Sequence, residues 1–153
     1  MNKLETKIPP VAIFIVAALL VWVVSKQTSP IDIPVIARWF ITIAFTLFGL
    51  VMGLLGVFSF IKADTTVNPI EPEKAESLVD TGVYRISRNP MYLALALALI
   101  ALSVYLQSLW SLPVVLLFMI YMTRFQIFPE ERAMIKLFGE EYIEYMKNVR
   151  RWI

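Results

Sequence analysis

Between Arg88 and Arg124 the chain runs for 35 residues, Asn89 to Thr123, without a charged side chain. As one helix this segment would be about 52 Å long, far beyond a hydrocarbon core of about 30 Å. It must therefore fold back on itself. Polar residues, an interfacial tryptophan and a proline coincide at Gln107-Ser108-Leu109-Trp110-Ser111-Leu112-Pro113, which predicts the turn of a helical hairpin there. Its two spans fall at about 90–106 and 110–128. Two further charge-free runs precede it. Ile8 to Ser25 opens on Pro9-Pro10, residues tolerated at a helix start, and Trp39 to Ile61 is long enough for one tilted crossing. The first run ends Val21-Trp22-Val23-Val24-Ser25-Lys26, without a small-x-small cleavage site, so it reads as a retained span at about 8–25 rather than a signal peptide. The expected fold is all-α, a single membrane-embedded domain over 1–153 with four transmembrane helices and a cytoplasmic C-terminal helix at about 130–148.

Composition agrees, because a 153-residue chain that is 59% hydrophobic and 17% charged has more apolar surface than a soluble domain of that size can hide. The chain has no Cys and no His. That excludes a disulfide framework, an iron–sulfur cluster, a thiol nucleophile, a Ser-His-Asp triad and imidazole metal ligands. No metal is expected. Chemistry must run on carboxylates, Arg, Lys, Tyr and amides. The five glycines, Gly49, Gly53, Gly56, Gly82 and Gly139, form no dinucleotide or P-loop fingerprint.

The basic residues are segregated. With four spans, 12 of the 14 Lys and Arg fall on the side of both termini and the middle loop, and 2, Lys26 and Arg38, fall on the other. By the positive-inside rule both termini and that loop are cytoplasmic. The net charge of +2 is the remainder of this pattern rather than a nucleic-acid-binding surface, and no nucleic-acid partner is expected.

Two cytoplasmic segments are long enough to build a site. The loop Lys62 to Arg88 opens with Asp64-Thr65-Thr66-Val67-Asn68-Pro69, carries a turn at Asp80-Thr81-Gly82, and leads through Arg85 and Arg88 to Asn89-Pro90, where proline fits a first helical turn. On position alone, Arg85 and Arg88 anchor a span end. The tail begins Phe128-Pro129-Glu130-Glu131-Arg132, and its acids would complement a new helix N-terminus. Apolar residues then recur from Met134 to Val149 at helical spacing, interrupted by Gly139. The polar face is as acidic as it is basic, which suits an anionic lipid surface poorly, so the tail is expected to dock over the loop. Gly49-x-x-x-Gly53, then Gly56, in the second span offers close helix approach or a homodimer face.

The ordered blocks LVDTGVYRISRNPMYL, a hydrophobic hairpin, and PEERAMIKLFGEEYIEYMKNVRRW resemble the integral-membrane methyltransferases, which include isoprenylcysteine carboxyl methyltransferases and phosphatidylethanolamine N-methyltransferases. The similarity spans about Thr65 to Trp152. It implies S-adenosyl-L-methionine as cofactor. It also implies a pocket lined by Leu78, Val79, Tyr84, Asn89, Pro90, Met91 and Tyr92, with Glu130 as the carboxylate that holds the cofactor from the tail.

The chemistry suits such residues, since a cationic sulfonium with an adenosine and an amino-acid end needs carboxylate acceptors, aromatic walls and donors for its own carboxylate. Tyr84, Tyr92, Tyr142 and Tyr145 are candidate walls, and Glu130 or Glu131 the acceptor. An amine methyl acceptor would lose its proton to a carboxylate such as Glu131, whereas a carboxylate acceptor would be held by Arg88, Arg124 or Arg150.

The carboxyl-methylating branch has His where this chain has Asn89 and Arg where it has Gln126. The phospholipid-methylating branch, closer at Asn89-Pro90-Met91-Tyr92, has Gly where Ala94 stands. Candidate catalytic residues are thus Glu131 and Arg88, and candidate substrate-binding residues are Arg124, Gln126 and Arg150. The expected acceptor is a membrane lipid or lipid-anchored group, of phospholipid-amine type by preference, in a prokaryotic inner membrane. The alternatives are an isoprenylcysteine-type carboxyl O-methyltransferase and, in other classes, a non-catalytic four-helix scaffold or subunit, or a sterol-reductase-like enzyme, for whose full set of spans the chain is short.

Overall fold

The computed structural model describes residue 5 and residues 7–63 and 77–153, so the part of the middle loop that holds Asp64 to Pro69 lies outside the described residues. Among these residues there are helices and no strands. Helix α1, Pro10–Gln27, begins on its proline, and α2, Val35–Lys62, begins directly after Pro34. Helix α3, Pro90–Tyr105, likewise starts on proline. Helix α4, Leu112–Met122, runs through a π-turn at Thr123–Ile127 into α5, Phe128–Phe138, and α6 covers Glu140–Asn148.

Three helical stretches are long and apolar enough to cross a membrane: Pro10–Gln27, Val35–Lys62 and Leu109–Phe138. Helix α3 is shorter, and its 16 residues span about 24 Å. It is also the most buried. The other helices pack around it, α2 on one flank and α1 and α4 on the other, while α1 and α2 share no packed interface. The outer faces stay apolar and bare, as at Ile36, Phe40 and Leu117, which is what a lipid solvent requires.

Two expected boundaries differ. The second span begins at Val35 rather than Trp39, so Arg38 lies inside the helix. It is accommodated because Nη1 donates to Gln107 Oε1 (2.9 Å). Gln107, at φ +55°, is itself tied to the α1–α2 turn by Ile31 N–H donating to its carbonyl (2.8 Å) and its own Nε2 donating to Ile31 O (3.2 Å). One glutamine thus fixes both turns at that end of the bundle.

The second difference is at the tail. Glu130 and Glu131 do not start a new helix; they continue the last span, and the break comes at Gly139, whose φ of +53° is a left-handed conformation that favours glycine. Pro129 cannot donate to a carbonyl one turn earlier. The widened π-turn immediately before it opens the ladder there and lets the helix continue. A single surface helix over 130–148 is therefore replaced by two shorter helices, α5 in line with the span and α6 folded over its end.

The glycines of α2 face α3 of the same chain. A Cβ at Gly53 would lie 3.2 Å from Ala94 Cβ; one at Gly49 would lie 3.2 Å from Ala94 O, and one at Gly56 3.1 Å from Met91 Cγ. This is close helix approach within the chain, so a homodimer through the second span would need another face of it. Gly53→Leu is expected to force α2 off α3 and to cost about 1–3 kcal/mol, read as a melting temperature several degrees lower in detergent. A variant that melts with the wild type would show that this contact is loose.

Candidate functional site

The site is built at the end of the bundle where α1 begins, α2 ends and α3 begins. A turn at Gly82, φ +61°, leads into a 3-10 turn, Gly82–Arg85, that buries Val83 and Tyr84. After Ile86, residues Ser87 to Asn89 grip the C-terminal tail. Arg88 N–H donates to Arg150 O (2.9 Å), while Ser87 Oγ (3.1 Å) and Asn89 Nδ2 (3.0 Å) both donate to Arg151 O. Trp152 Nε1 then donates to Thr123 Oγ1 (3.2 Å), pinning the tail to the π-turn.

Arg88 is the centre of this arrangement. Its side chain is only 7% exposed, and Nη1 donates to the carbonyls of Met146 and Val149 (3.0 Å each), satisfying the end of α6. Nη2 donates to Glu131 Oε1 (2.6 Å). Arg151 completes a triad, with Nε on Glu131 Oε1 and Nη2 on Oε2, both at 2.9 Å, and its guanidinium over the Phe128 ring at 4.8 Å. The hydrogen bond to Glu131 raises the Arg151 pKa further above its ordinary value. Both oxygens of Glu131 are thus taken by guanidinium groups.

Beside the triad lies a cavity of about 670 Å³, within the range of small-molecule sites. Leu78 and Val79 line it ahead of the 3-10 turn, and Tyr84 within it; Arg88, Asn89, Met91 and Tyr92 line it around the start of α3; Glu130 and Glu131 line it from α5. Pro90 is buried without lining the cavity, and packs where a Gly56 Cβ would approach its Cγ to 3.3 Å. Tyr142 and Tyr145 of α6 cover the cavity, their rings 5.8 Å apart, and Tyr145 Oη donates to Tyr84 O (2.7 Å). The tail therefore docks over the described end of the loop, at Tyr84, Ser87 and Arg88.

Three polar groups in this cavity have unused capacity. Tyr84 Oη and Arg88 Nε are buried without a hydrogen-bond partner. Glu130 accepts a hydrogen bond from Tyr92 Oη and faces no cation among the described residues. Unpartnered buried polar groups are costly; Arg38 Nε, Thr42 Oγ1 and Gln126 Oε1 also lack partners but lie apart from the cavity, whereas Tyr84, Arg88 and Glu130 converge on it. Burial pushes the hydroxyl pKa of Tyr84, and likewise those of Tyr142 and Tyr145, well above the usual tyrosine value. All three act as neutral hydrogen-bonding groups at physiological pH.

The other expected site residues lie elsewhere. Arg124 is half-exposed and pairs with Glu5 (3.1 Å), which also binds Arg132 (2.6 Å). Gln126 is buried, with Nε2 donating to Ile8 O (2.7 Å). Arg150 is exposed and only its carbonyl is used. None of the three lines the cavity. Arg151, missed in the sequence reading, holds Glu131 instead of its neighbour. Alternation along the extended tail points adjacent side chains in opposite directions, but the register of that tail is fixed by Ser87 to Asn89, which no motif reveals.

No solved structure matches the chain. A protein of Haemophilus influenzae, described as uncharacterized, is 38% identical over 63 residues, which are 41% of this chain and the whole of that protein. The model of the phospholipid methyltransferase family matches residues 37–141, a segment that takes in all but the first two residues of α2, the 3-10 turn, α3, α4 and α5 and most of the residues that build the cavity. The chain is a member of the phospholipid methyltransferase family.

Proposed function

We propose that the protein is an S-adenosyl-L-methionine-dependent methyltransferase acting on a membrane lipid, of phospholipid-amine type, at the cytoplasmic face. The observation that carries this reading is the convergence of Tyr84 Oη, Arg88 Nε and the Glu130 carboxylate, each with free capacity, in one aromatic-walled cavity. The donor set fits the cofactor. A carboxylate answers a cation, a guanidinium N–H answers a carboxylate, and tyrosine faces suit both an adenine and a sulfonium. The family membership supports the same cofactor. When bound, S-adenosylmethionine supplies a methyl group activated by positive sulfur.

The protein's own part is alignment and dryness. Glu130, held by Tyr92, orients a cation in the cavity, Tyr84 and Arg88 orient polar ends, and α6 with Tyr142 and Tyr145 excludes water. Of the two cavity carboxylates, Glu131 is engaged on both oxygens by Arg88 and Arg151. Glu130 is left as the group able to take a proton from an ammonium acceptor. A carboxylate acceptor would find Arg88 but neither Arg124 nor Arg150 in the cavity, which favours the amine over the isoprenylcysteine-type alternative. The scaffold alternative relied on the glycine face of α2, and α3 covers that face. The segregation of basic residues supports placing both termini and the cavity in the cytoplasm.

Calorimetric titration of the detergent-solubilised protein is expected to show binding of S-adenosylmethionine, and transfer of labelled methyl into a total lipid extract is expected to mark an amine phospholipid. Absence of binding in detergent and in lipid bilayers alike would overturn the cofactor, and label confined to a peptide fraction would overturn the lipid acceptor. Tyr84→Phe sharpens the reading. It removes a hydroxyl without a partner in the structure, so the free protein should melt as the wild type or higher while cofactor affinity falls about three- to tenfold. Equal affinity in the variant would show that this hydroxyl meets no ligand.

A further inference from the structure

The same cavity has a second, apolar arm. From the polar end at Arg88 and Glu130 its lining continues down α2 through Val57, Leu54 and Leu50 to Thr46, and down α3 through Ala94 and Leu95 to Ala98. On α2 this is about 16 Å and on α3, from Met91, about 10 Å. The arm carries almost no polar group, so nothing in it would hold the polar ends of a nucleoside or an amino acid. Helix α3 forms its floor, and its wall is the outward flank of α2, where Leu50 and Leu54 are half-exposed to the lipid side. Pro10 and Val11 bound it at the start of α1. Both α1 and α2 pack on α3, and the arm is flanked by the half-exposed face of α2 at Leu50 and Leu54.

We infer that this arm holds one apolar chain of the methyl acceptor and that Ala98 and Thr46, at its far end, set the length of chain it accepts; this rests on the methyltransferase reading above. The occupant follows from continuity. The arm runs without interruption into the polar cavity in which the buried Tyr84 hydroxyl and Arg88 Nε, on side chains 5% and 7% exposed, have no partner. A lipid that brings its amine to Glu130 from the bilayer lays its chain along the arm and leaves Tyr84 and Arg88 to the cofactor. Gly49 and Gly53 bring α2 close to Ala94 of α3, and the arm's floor on α3 includes the small side chains Ala94 and Ala98.

The test uses the detergent-solubilised protein with a series of saturated single-chain lysophosphatidylethanolamines, short to long, and reads dissociation constants with and without S-adenosylmethionine. Each added methylene is expected to tighten binding about fourfold while the growing chain is still buried in the arm, and then to add nothing once it passes Thr46 and Ala98. Ala98→Phe should move that break to a shorter chain and leave S-adenosylmethionine affinity within twofold of wild type. Thr46→Trp, at an exposed position, should shift the break in the same direction, and gives the same test should Ala98→Phe fold poorly. A gain with no break, a break at the same length in both variants, or no binding at any length would overturn the assignment. Loss of S-adenosylmethionine binding in the wild type would overturn the enzyme reading instead, while the chain-length break would remain measurable.

Discussion

Glu131→Leu is expected to destabilise the protein by about 3–5 kcal/mol, lowering its melting temperature in detergent by roughly 10–15 °C. The side chains of Glu131 and Arg88 are only 9% and 7% exposed. Removing the carboxylate leaves the Arg88 guanidinium charged and without a counterion in a poorly solvated place, and that penalty exceeds the net worth of the pair itself. The loss also spreads. Arg88 supplies the last carbonyls of α6 with donors, and Arg151 anchors the tail whose carbonyls hold Ser87 and Asn89. Loosening the triad therefore loosens α6 over the cavity. Arg88→Met in the same chain should recover part of the stability by removing the stranded charge, but not all, because Met146 and Val149 then lose their donor. Measured without cofactor, a Glu131→Leu protein that melts like the wild type would refute the structural role, and a double variant no more stable than the single one would refute the stranded-charge explanation.

How far the sequence revealed this depends on the range of each signal. The hairpin turn at Gln107 to Pro113, the starts of α1 and α3 on proline, and the docking of the tail over the loop were legible because charge gaps, turn residues and helical spacing are local patterns. The exact start of α2 was not. A charged residue normally marks the end of a span, and Arg38 escapes that rule only through Gln107, 69 positions away. The continuous helix through Pro129 was also hidden, since a proline followed by two acids reads as a helix start unless a π-turn precedes it. At the site, motif resemblance found the cavity wall from Leu78 to Tyr92 but could not separate two adjacent glutamates. Glu130 and Glu131 both line the cavity but differ by one helical step of about 100°, and that step decides which carboxylate meets two arginines and which meets only the Tyr92 hydroxyl. The same limit applies to Arg150 and Arg151 on the extended tail.

That one-residue difference leads to the sharpest functional expectation. Glu130→Gln should weaken S-adenosylmethionine binding by about 2 kcal/mol, roughly thirtyfold, without lowering the melting temperature of the free protein. Glu130, on α5, lines the cavity, accepts the Tyr92 hydroxyl, and has no cation beside it among the described residues. A carboxylate in that position is a burden on the fold until a positive ligand arrives, so neutralising it removes a cost in the free state and a benefit in the bound one. Tyr92→Phe should act in the same direction but less, by a few fold, because the charge stays and only its orienting donor is lost. The two glutamates then have opposite signatures. Glu131→Leu lowers stability first and binding as a consequence, whereas Glu130→Gln lowers binding alone. If Glu130→Gln bound S-adenosylmethionine as tightly as the wild type, the cation would have to be held by aromatic faces, and Tyr84, Tyr142 and Tyr145, neutral and arranged around the same cavity, would be the residues to remove next.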